Sequence, residues 1–127
     1  MADILLDSDV IIEWLRGSQP IAGSLLNLLD GGHNLLWTPV SVVEIFVGVR
    51  KSESARIESL FLILEMLPIS VHVGKRAGQY LQKYSRSHSV ELGDALIAAS
   101  ACEARLTLWT LNRKHYPMPE IRLFLPK

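Results

Sequence analysis

Cysteine is almost absent from this chain of 127 residues: Cys102 stands alone. One thiol forms no internal disulfide and no cysteine-rich zinc site. It lies in ALIAASACEA (95–104), a small-residue apolar run with helical character, so a buried, inert thiol in a reducing, cytoplasmic setting is expected. Net charge is missing too, because 13 basic side chains balance 13 acidic ones. That excludes a protein held to nucleic acid by bulk charge and leaves room for a local basic groove. No apolar run approaches the ~18 residues of a membrane span. The first residues include Asp3 and no basic stretch, unlike a secretory signal. Linkers, low-complexity tracts and internal repeats are also missing. Apolar residues make up 49% of the chain, enough to drive a core, and the length fits a single domain over 1–127.

Apolar runs and helical patterns alternate along the chain. DILLD (3–7) reads as a buried strand, and residues 10–15 as a short helix closed by Gly17. Pro20 opens a second helix, 21–30, that ends at Gly31-Gly32. NLLWTP (34–39) is a short buried strand. In 41–51, Val42, Val43, Phe46 and Val47 recur at helical spacing. Helix formers dominate 54–66; Pro68 breaks that run, and LPIS (67–70) reads as a third strand. Helices follow over 73–85 and 92–105. LTLWTLN (106–112) is a strand with a polar end, and IRLFLP (121–126) a final edge strand stopped by Pro126. Alternating strands and helices predict an α/β fold with a mainly parallel sheet. Ligands of such sheets gather at the carboxyl ends of the strands.

Three acids occupy such edges. Asp7 ends the first strand, Glu44 follows the second, and Asp94 starts the DALIAASA pattern. A buried carboxylate is costly unless paired, hydrogen-bonded or metal-bound. If the three converge, a divalent cation resolves their repulsion, and an all-oxygen set without histidine or thiolate suits Mg²⁺ or Mn²⁺ better than zinc. Each acid also has a structural reading. Asp9 precedes a helix and is a candidate cap. Ser41-Val42-Val43-Glu44 fits the S-x-x-E capping box. Asp94 near a helix start is favoured by the helix dipole. Spacing alone leaves both readings standing.

The ordered blocks LLDSDVIIEWLRG, TPVSVVEIFVGVR, ELGDALIAASA and LWTLNRKHYP, spread over Asp3 to Pro126, resemble the PIN-domain ribonucleases, and within them the VapC toxins of type II toxin–antitoxin pairs. The resemblance implies a PIN-like three-layer sandwich, with a central mainly parallel sheet flanked by helices. It implies an acidic site binding Mg²⁺ or Mn²⁺ that hydrolyses RNA, a homodimer, and a cognate VapB-like antitoxin. By position, Asp7, Glu44 and Asp94 match three of the family's acids. The fourth falls on Asn112, in the variant form T-x-N-x-x-H-F/Y-P. An amide offers a neutral oxygen but no charge, which implies one firmly held metal.

On this reading the chain is a Mg²⁺-dependent endoribonuclease toxin. Asp7, Glu44 and Asp94 position the ion, Asn112 completes the site, and Asp9 and Thr110 stand behind it. The expected RNA phosphate contacts are Arg16, Arg50, Arg113 and Lys114, with Lys51 beside them. For each, a solvated basic face is the structural alternative. His115, next to Tyr116, reads as structural; His33, His72 and His88 show no ligand spacing; Trp14, Trp37 and Trp109 sit in apolar patterns and are expected to pack. Two other functions compete. The DSDV stretch resembles the D-x-D start of haloacid-dehalogenase-like phosphatases, but the late strand ends in TLNRKH, without that class's acidic pair. A catalytically weak or inactive PIN-like module that binds RNA or protein is motivated by Asn112.

Overall fold

The computed structural model describes residues 3–126, so the outermost residues of the expected 1–127 domain lie outside the described residues. The elements follow the sequence pattern: β1 (Asp3–Leu6), α1 (Ser8–Leu15), α2 (Gln19–Asp30), β2 (Asn34–Trp37), α3 (Pro39–Val47), α4 (Ser54–Ile63), β3 (Glu65–Met66), α5 (Val71–Tyr84), α6 (Leu92–Ala104) and β4 (Thr107–Trp109). Short 3₁₀ turns occupy Lys51–Glu53 and Arg113–His115. Helix α1 stops where Gly17 takes φ +85°, a left-handed conformation that glycine adopts without steric cost. Proline in the first turns of α2 and α3 forfeits no helical hydrogen bond.

All four strands pair in parallel, in the order β3-β2-β1-β4. Ile4 lies opposite Leu35 on one side and Thr107 on the other. Side chains alternate between the two faces of the sheet. Leu5, Leu36 and Leu108 pack with Val73, Ala77 and Tyr80 of α5 and the alanines of α6. Ile4, Leu6, Leu35, Trp37 and Trp109 pack with α1–α4 through Val10, Ile11, Leu25, Ile45, Ile57 and Leu60. The result is the expected three-layer α/β/α sandwich. Strands β1, β2 and β4 are largely buried on both faces, which explains why they read as continuous apolar runs; the short β3 is exposed.

The strand order has a consequence for function. The chain moves outward from β1 to β2 to β3, then crosses back to place β4 on the other side of β1. The order therefore reverses between β1 and β4, and parallel pairing puts their carboxyl ends side by side. Asp7 N–H donates to Trp109 O at 2.9 Å, extending that pairing to the edge itself. Such a reversal opens a crevice outside the strand ends.

Two boundaries differ from expectation. The third strand is Glu65–Met66 rather than LPIS: Leu67 N–H still reaches Trp37 O at 2.8 Å, but Pro68 has no N–H to donate and the ladder stops. The expected edge strand at 121–126 is reduced to a single parallel bridge, Leu108 to Leu123, flanked by Leu108 N–H to Arg122 O (2.9 Å) and Phe124 N–H to Leu108 O (2.7 Å). Trp37 and Trp109 are buried and Trp14 packs at the core's margin, as expected. Cys102 is half-buried rather than sealed. No described helix is long and apolar enough to cross a membrane.

The face of α6 is built from Ala95, Ala98, Ala99 and Ala101, all at most 1% exposed, and α5 and α6 make the most extensive helix–helix contact. Small side chains let these helices and the sheet approach closely, so added volume has nowhere to go. Replacing Ala98 by Leu is expected to cost about 1–3 kcal/mol of stability, read from urea unfolding; an unchanged midpoint contradicts this packing.

Candidate metal and active site

Asp7 follows the last residue of β1 and is only 7% exposed. Its extended backbone makes it the N-cap of α1, and its Oδ1 accepts Ser8 N–H at 2.7 Å. Its Oδ2 accepts two hydroxyls from beyond β4, Thr110 at 2.8 Å and Tyr116 at 2.8 Å. Burial raises the Asp7 carboxyl above its ordinary value, and the nearby Asp94 charge adds to the rise; the three hydrogen bonds pull the other way. Burial and the adjacent Asp7 charge push the Tyr116 phenol up as well, so it stays protonated and donates.

Asp9 is not the cap expected for it. The cap position belongs to Asp7, and Asp9 lies inside the first turn of α1. Its Oδ2 accepts Leu111 N–H at 3.1 Å and lies 3.4 Å from Thr110 Oγ1, tying α1 to the chain beyond β4. Its Oδ1 is buried without a hydrogen-bond partner among the described residues. Burial, reinforced by the Asp7 charge, pushes this carboxyl up to about 6.

Glu44 does not form the capping box that its spacing from Ser41 suggested. The N-cap of α3 is Thr38, three residues ahead of Ser41, so the box has no helix end to serve. Instead Ser8 Oγ stands 2.7 Å from Glu44 Oε1 and 2.9 Å from the fully buried Ser41 Oγ. A carboxylate accepts only, so Ser8 gives its one proton to Glu44 and Ser41 supplies the other bond. Although Glu44 as a residue is exposed, partial burial of its carboxyl raises it, and repulsion from Asp7, Asp94 and Glu91 adds to the rise.

Asp94 is the third residue of α6, whose N-cap is Glu91. Its Oδ2 accepts Glu91 N–H at 3.0 Å and meets His115 Nδ1 at 3.1 Å, where the ring nitrogen is the donor. Gly93 lies against Glu44: a Cβ built there stands 3.6 Å from Glu44 Oε1. The sheet edge thus gathers Asp7, Asp9, Glu44 and Asp94 within reach of one another's charge. Yet no three acidic, histidine or cysteine side chains among the described residues are close enough together to hold one ion as they stand. Like charges keep apart, and each carboxylate turns to its nearest donor.

Thr110, expected behind a bound ion, donates its hydroxyl to Asp7. Asn112 lies beyond the end of β4, which stops at Trp109. Asn112 is exposed and engages the site through its backbone N–H, 3.1 Å from Thr110 Oγ1. Arg16 shares a small cleft of about 40 Å³ with Glu44 and lies 3.9 Å from Glu13. Arg50, Lys51, Arg113 and Lys114 are all exposed, the last two in the 3₁₀ turn next to the site. Sequence reasoning missed Ser8, Ser41 and Tyr116. Ser8 and Tyr116 had one available signal, a hydroxyl next to a block acid or in the HYP tripeptide; nothing local marks Ser41 except the misread box.

The donor chemistry, though not the present spacing of the side chains, suits a hard divalent cation. The donors are all carboxylate oxygens, one buried oxygen of Asp9 has no partner, and no lysine or arginine pairs with Asp7, Asp9, Glu44 or Asp94 within 4.0 Å among the described residues. Oxygen ligands of this kind suit Mg²⁺ or Mn²⁺. A cleft of about 320 Å³ between α1, α2 and α4 contains none of these acids.

Known proteins share both sequence and fold. The model of the PIN domain family matches residues 4–120. Ribonuclease VapC10 of Mycobacterium tuberculosis is 38% identical over 118 residues, which is 92% of this chain and 88% of that protein. Ribonuclease VapC19 of the same organism is 30% identical over 115 residues, 90% of this chain and 92% of the relative. Among solved structures, DNA-bound VapBC from Salmonella typhimurium superposes with a TM-score of 0.81 at 20% identity, covering 98% of both chains. VapBC2 of Rickettsia felis, bound to a promoter fragment, gives 0.81 at 18%, covering 96% and 97%.

The raised carboxyls set a pH dependence. The folded state holds these protons more tightly than the unfolded chain, so their effect on stability is most favourable below the ordinary value of 3.8 and is lost as pH climbs through about 6. In the presence of a chelator, the melting temperature of the wild type is expected to fall from pH 5 to pH 7.5 by more than that of Asp9→Asn, which has no proton to lose. Parallel curves contradict the burial of Asp9.

Proposed function

The chain belongs to the PIN-domain family, in its VapC-like branch, and from this we propose that it is a metal-dependent endoribonuclease, the toxin of a VapBC-type pair, folded as one PIN domain over 1–127. The observation that carries the reading is the cluster of Asp7, Asp9, Glu44 and Asp94 at the reversal point of the sheet, where the carboxyls of Asp7, Asp9 and Glu44 are raised and no lysine or arginine among the described residues neutralises them. The ribonuclease names of two relatives support the reaction, and the toxin–antitoxin complexes among the solved structures support a VapB-like antitoxin as partner.

Asp7, Glu44 and Asp94 would hold Mg²⁺ or Mn²⁺, with Asp9 behind them. Bound there, the ion would polarise a phosphate oxygen and lower the pKa of water. The chain's own residues orient the rest. Thr110 and Tyr116 fix Asp7, and the Ser41–Ser8 pair fixes Glu44. His115 holds Asp94. Arg113 and Lys114, exposed beside the site, and Arg16, on the Glu44 cleft, would take RNA phosphates, with Arg50 extending that surface. Val43, Phe46 and Val47 leave an apolar face of α3 exposed next to Glu44, which supports the homodimer.

A second reading, a weakly active or inactive RNA- or protein-binding module, rests on Asn112, whose exposed amide brings no charge to the site. RNA cleavage separates the two. Wild type is expected to cleave in Mg²⁺ and to stop in chelator. Asp7→Asn is expected to lose more than about 100-fold, beyond the roughly 10–100-fold that loss of a group behind a ligand costs. Equal cleavage by both proteins overturns the enzyme; RNA binding without turnover by the wild type establishes the binding module.

A further inference from the structure

Tyr116 is buried, and its hydroxyl crosses from the chain beyond β4 to the carboxylate at the end of β1. A carboxylate oxygen offers about two lone pairs. On Asp7, Oδ2 receives both Thr110 and Tyr116, so its capacity is filled by protein hydroxyls. Oδ1 receives one bond, from Ser8 N–H. Asp7 is left with a single lone pair to give, on one oxygen.

From this count we propose that the Thr110 and Tyr116 hydroxyls restrict Asp7 to one-oxygen coordination and thereby set the site's preference for Mg²⁺ and Mn²⁺ over Ca²⁺. The inference rests on the proposed metal site and adds its selectivity. The chemistry follows from what each cation needs. Ca²⁺ takes six to eight oxygens and readily accepts both oxygens of one carboxylate, whereas Mg²⁺ demands near-octahedral geometry built from single oxygens. A carboxylate with one oxygen locked by two hydroxyls cannot swing to chelate. Tyr116 is a positioning residue here: it acts on the ion through Asp7.

A purely structural role is the competing account, since a buried phenol needs a partner in any case. The two accounts differ in what moves. A structural hydroxyl affects the melting temperature and leaves the cation preference alone. A positioning hydroxyl changes the ratio of the two affinities.

The test is calorimetric titration of the intact protein with Mn²⁺ and with Ca²⁺, for wild type, Tyr116→Phe, Thr110→Val, Thr110→Ser and Asp7→Asn, each checked for folding by its melting curve. Wild type is expected to favour Mn²⁺, and Asp7→Asn to lose Mn²⁺ binding. In Tyr116→Phe and in Thr110→Val, the preference for Mn²⁺ over Ca²⁺ is expected to fall by roughly tenfold, the lower end of what groups behind metal ligands control. Thr110→Ser retains the hydroxyl and is expected to retain the preference. If Asp7→Asn loses Mn²⁺ while both hydroxyl deletions keep the wild-type ratio, the selectivity inference falls and the metal site stands. If wild type binds neither cation, both fall together.

Discussion

The cost of burying carboxylates without a counter-charge organises this protein. Asp7 is nearly sealed at the end of an apolar strand, and Asp9, Glu44 and Asp94 raise the local negative potential around it. Water cannot stabilise a buried charge, and no arginine or lysine comes to Asp7 among the described residues. What remains is a shell of hydroxyl and amide donors: Ser8 N–H, Thr110 and Tyr116 on Asp7, and Ser8 Oγ on Glu44. Such donors lower the cost without removing the charge. An arrangement of this kind is suited to a divalent cation and poorly suited to stability alone.

The sheet delivers that arrangement. Parallel strands bring their carboxyl ends to one edge, and the reversal between β1 and β4 leaves the crevice there uncovered by a crossover helix. Asp7 sits at one lip and Thr110 at the other. The 3₁₀ turn after β4 then folds His115 back to Asp94 and Tyr116 back to Asp7, so the segment beyond the last core strand becomes the clasp of the site. The bulky core beneath keeps this edge rigid: Leu6 and Trp109, the residues just inside each lip, are almost fully buried.

Most of the fold was legible because its strands and helices carry strong local patterns. Ile4-Leu5-Leu6 and Leu35-Leu36-Trp37 are apolar on both faces, as buried parallel strands must be. The two weakest elements were misplaced for one reason: their pairing is set by a neighbour. Glu65–Met66 is a strand only because Trp37 lies alongside, and residues 121–126 touch the sheet at Leu123 alone. Order and resemblance singled out the three block acids and Thr110, and the fold brings these four to one edge of the sheet. The roles of Asp9 and Ser41 were not legible, because a caps-by-spacing argument assumes where a helix starts. Both helices start earlier than the spacing implied, which moves the cap to Asp7 in one case and to Thr38 in the other. Tyr116 and Ser8 bond across 109 and 36 positions of chain, distances that no local pattern encodes.

The central claim is that protons now held by crowded carboxylates give way to a cation. Metal binding should therefore expel protons near pH 6, where Asp9 is about half protonated and Asp7 and Glu44 lie above their ordinary values. Titrating Mn²⁺ into the chelator-treated protein at pH 6, in buffers of different ionisation enthalpy, measures that release directly. The account predicts net proton release in the wild type that shrinks in Asp9→Asn and shrinks in the wild type at pH 8. Mn²⁺ binding with no proton release at pH 6, or no binding at all, would contradict it.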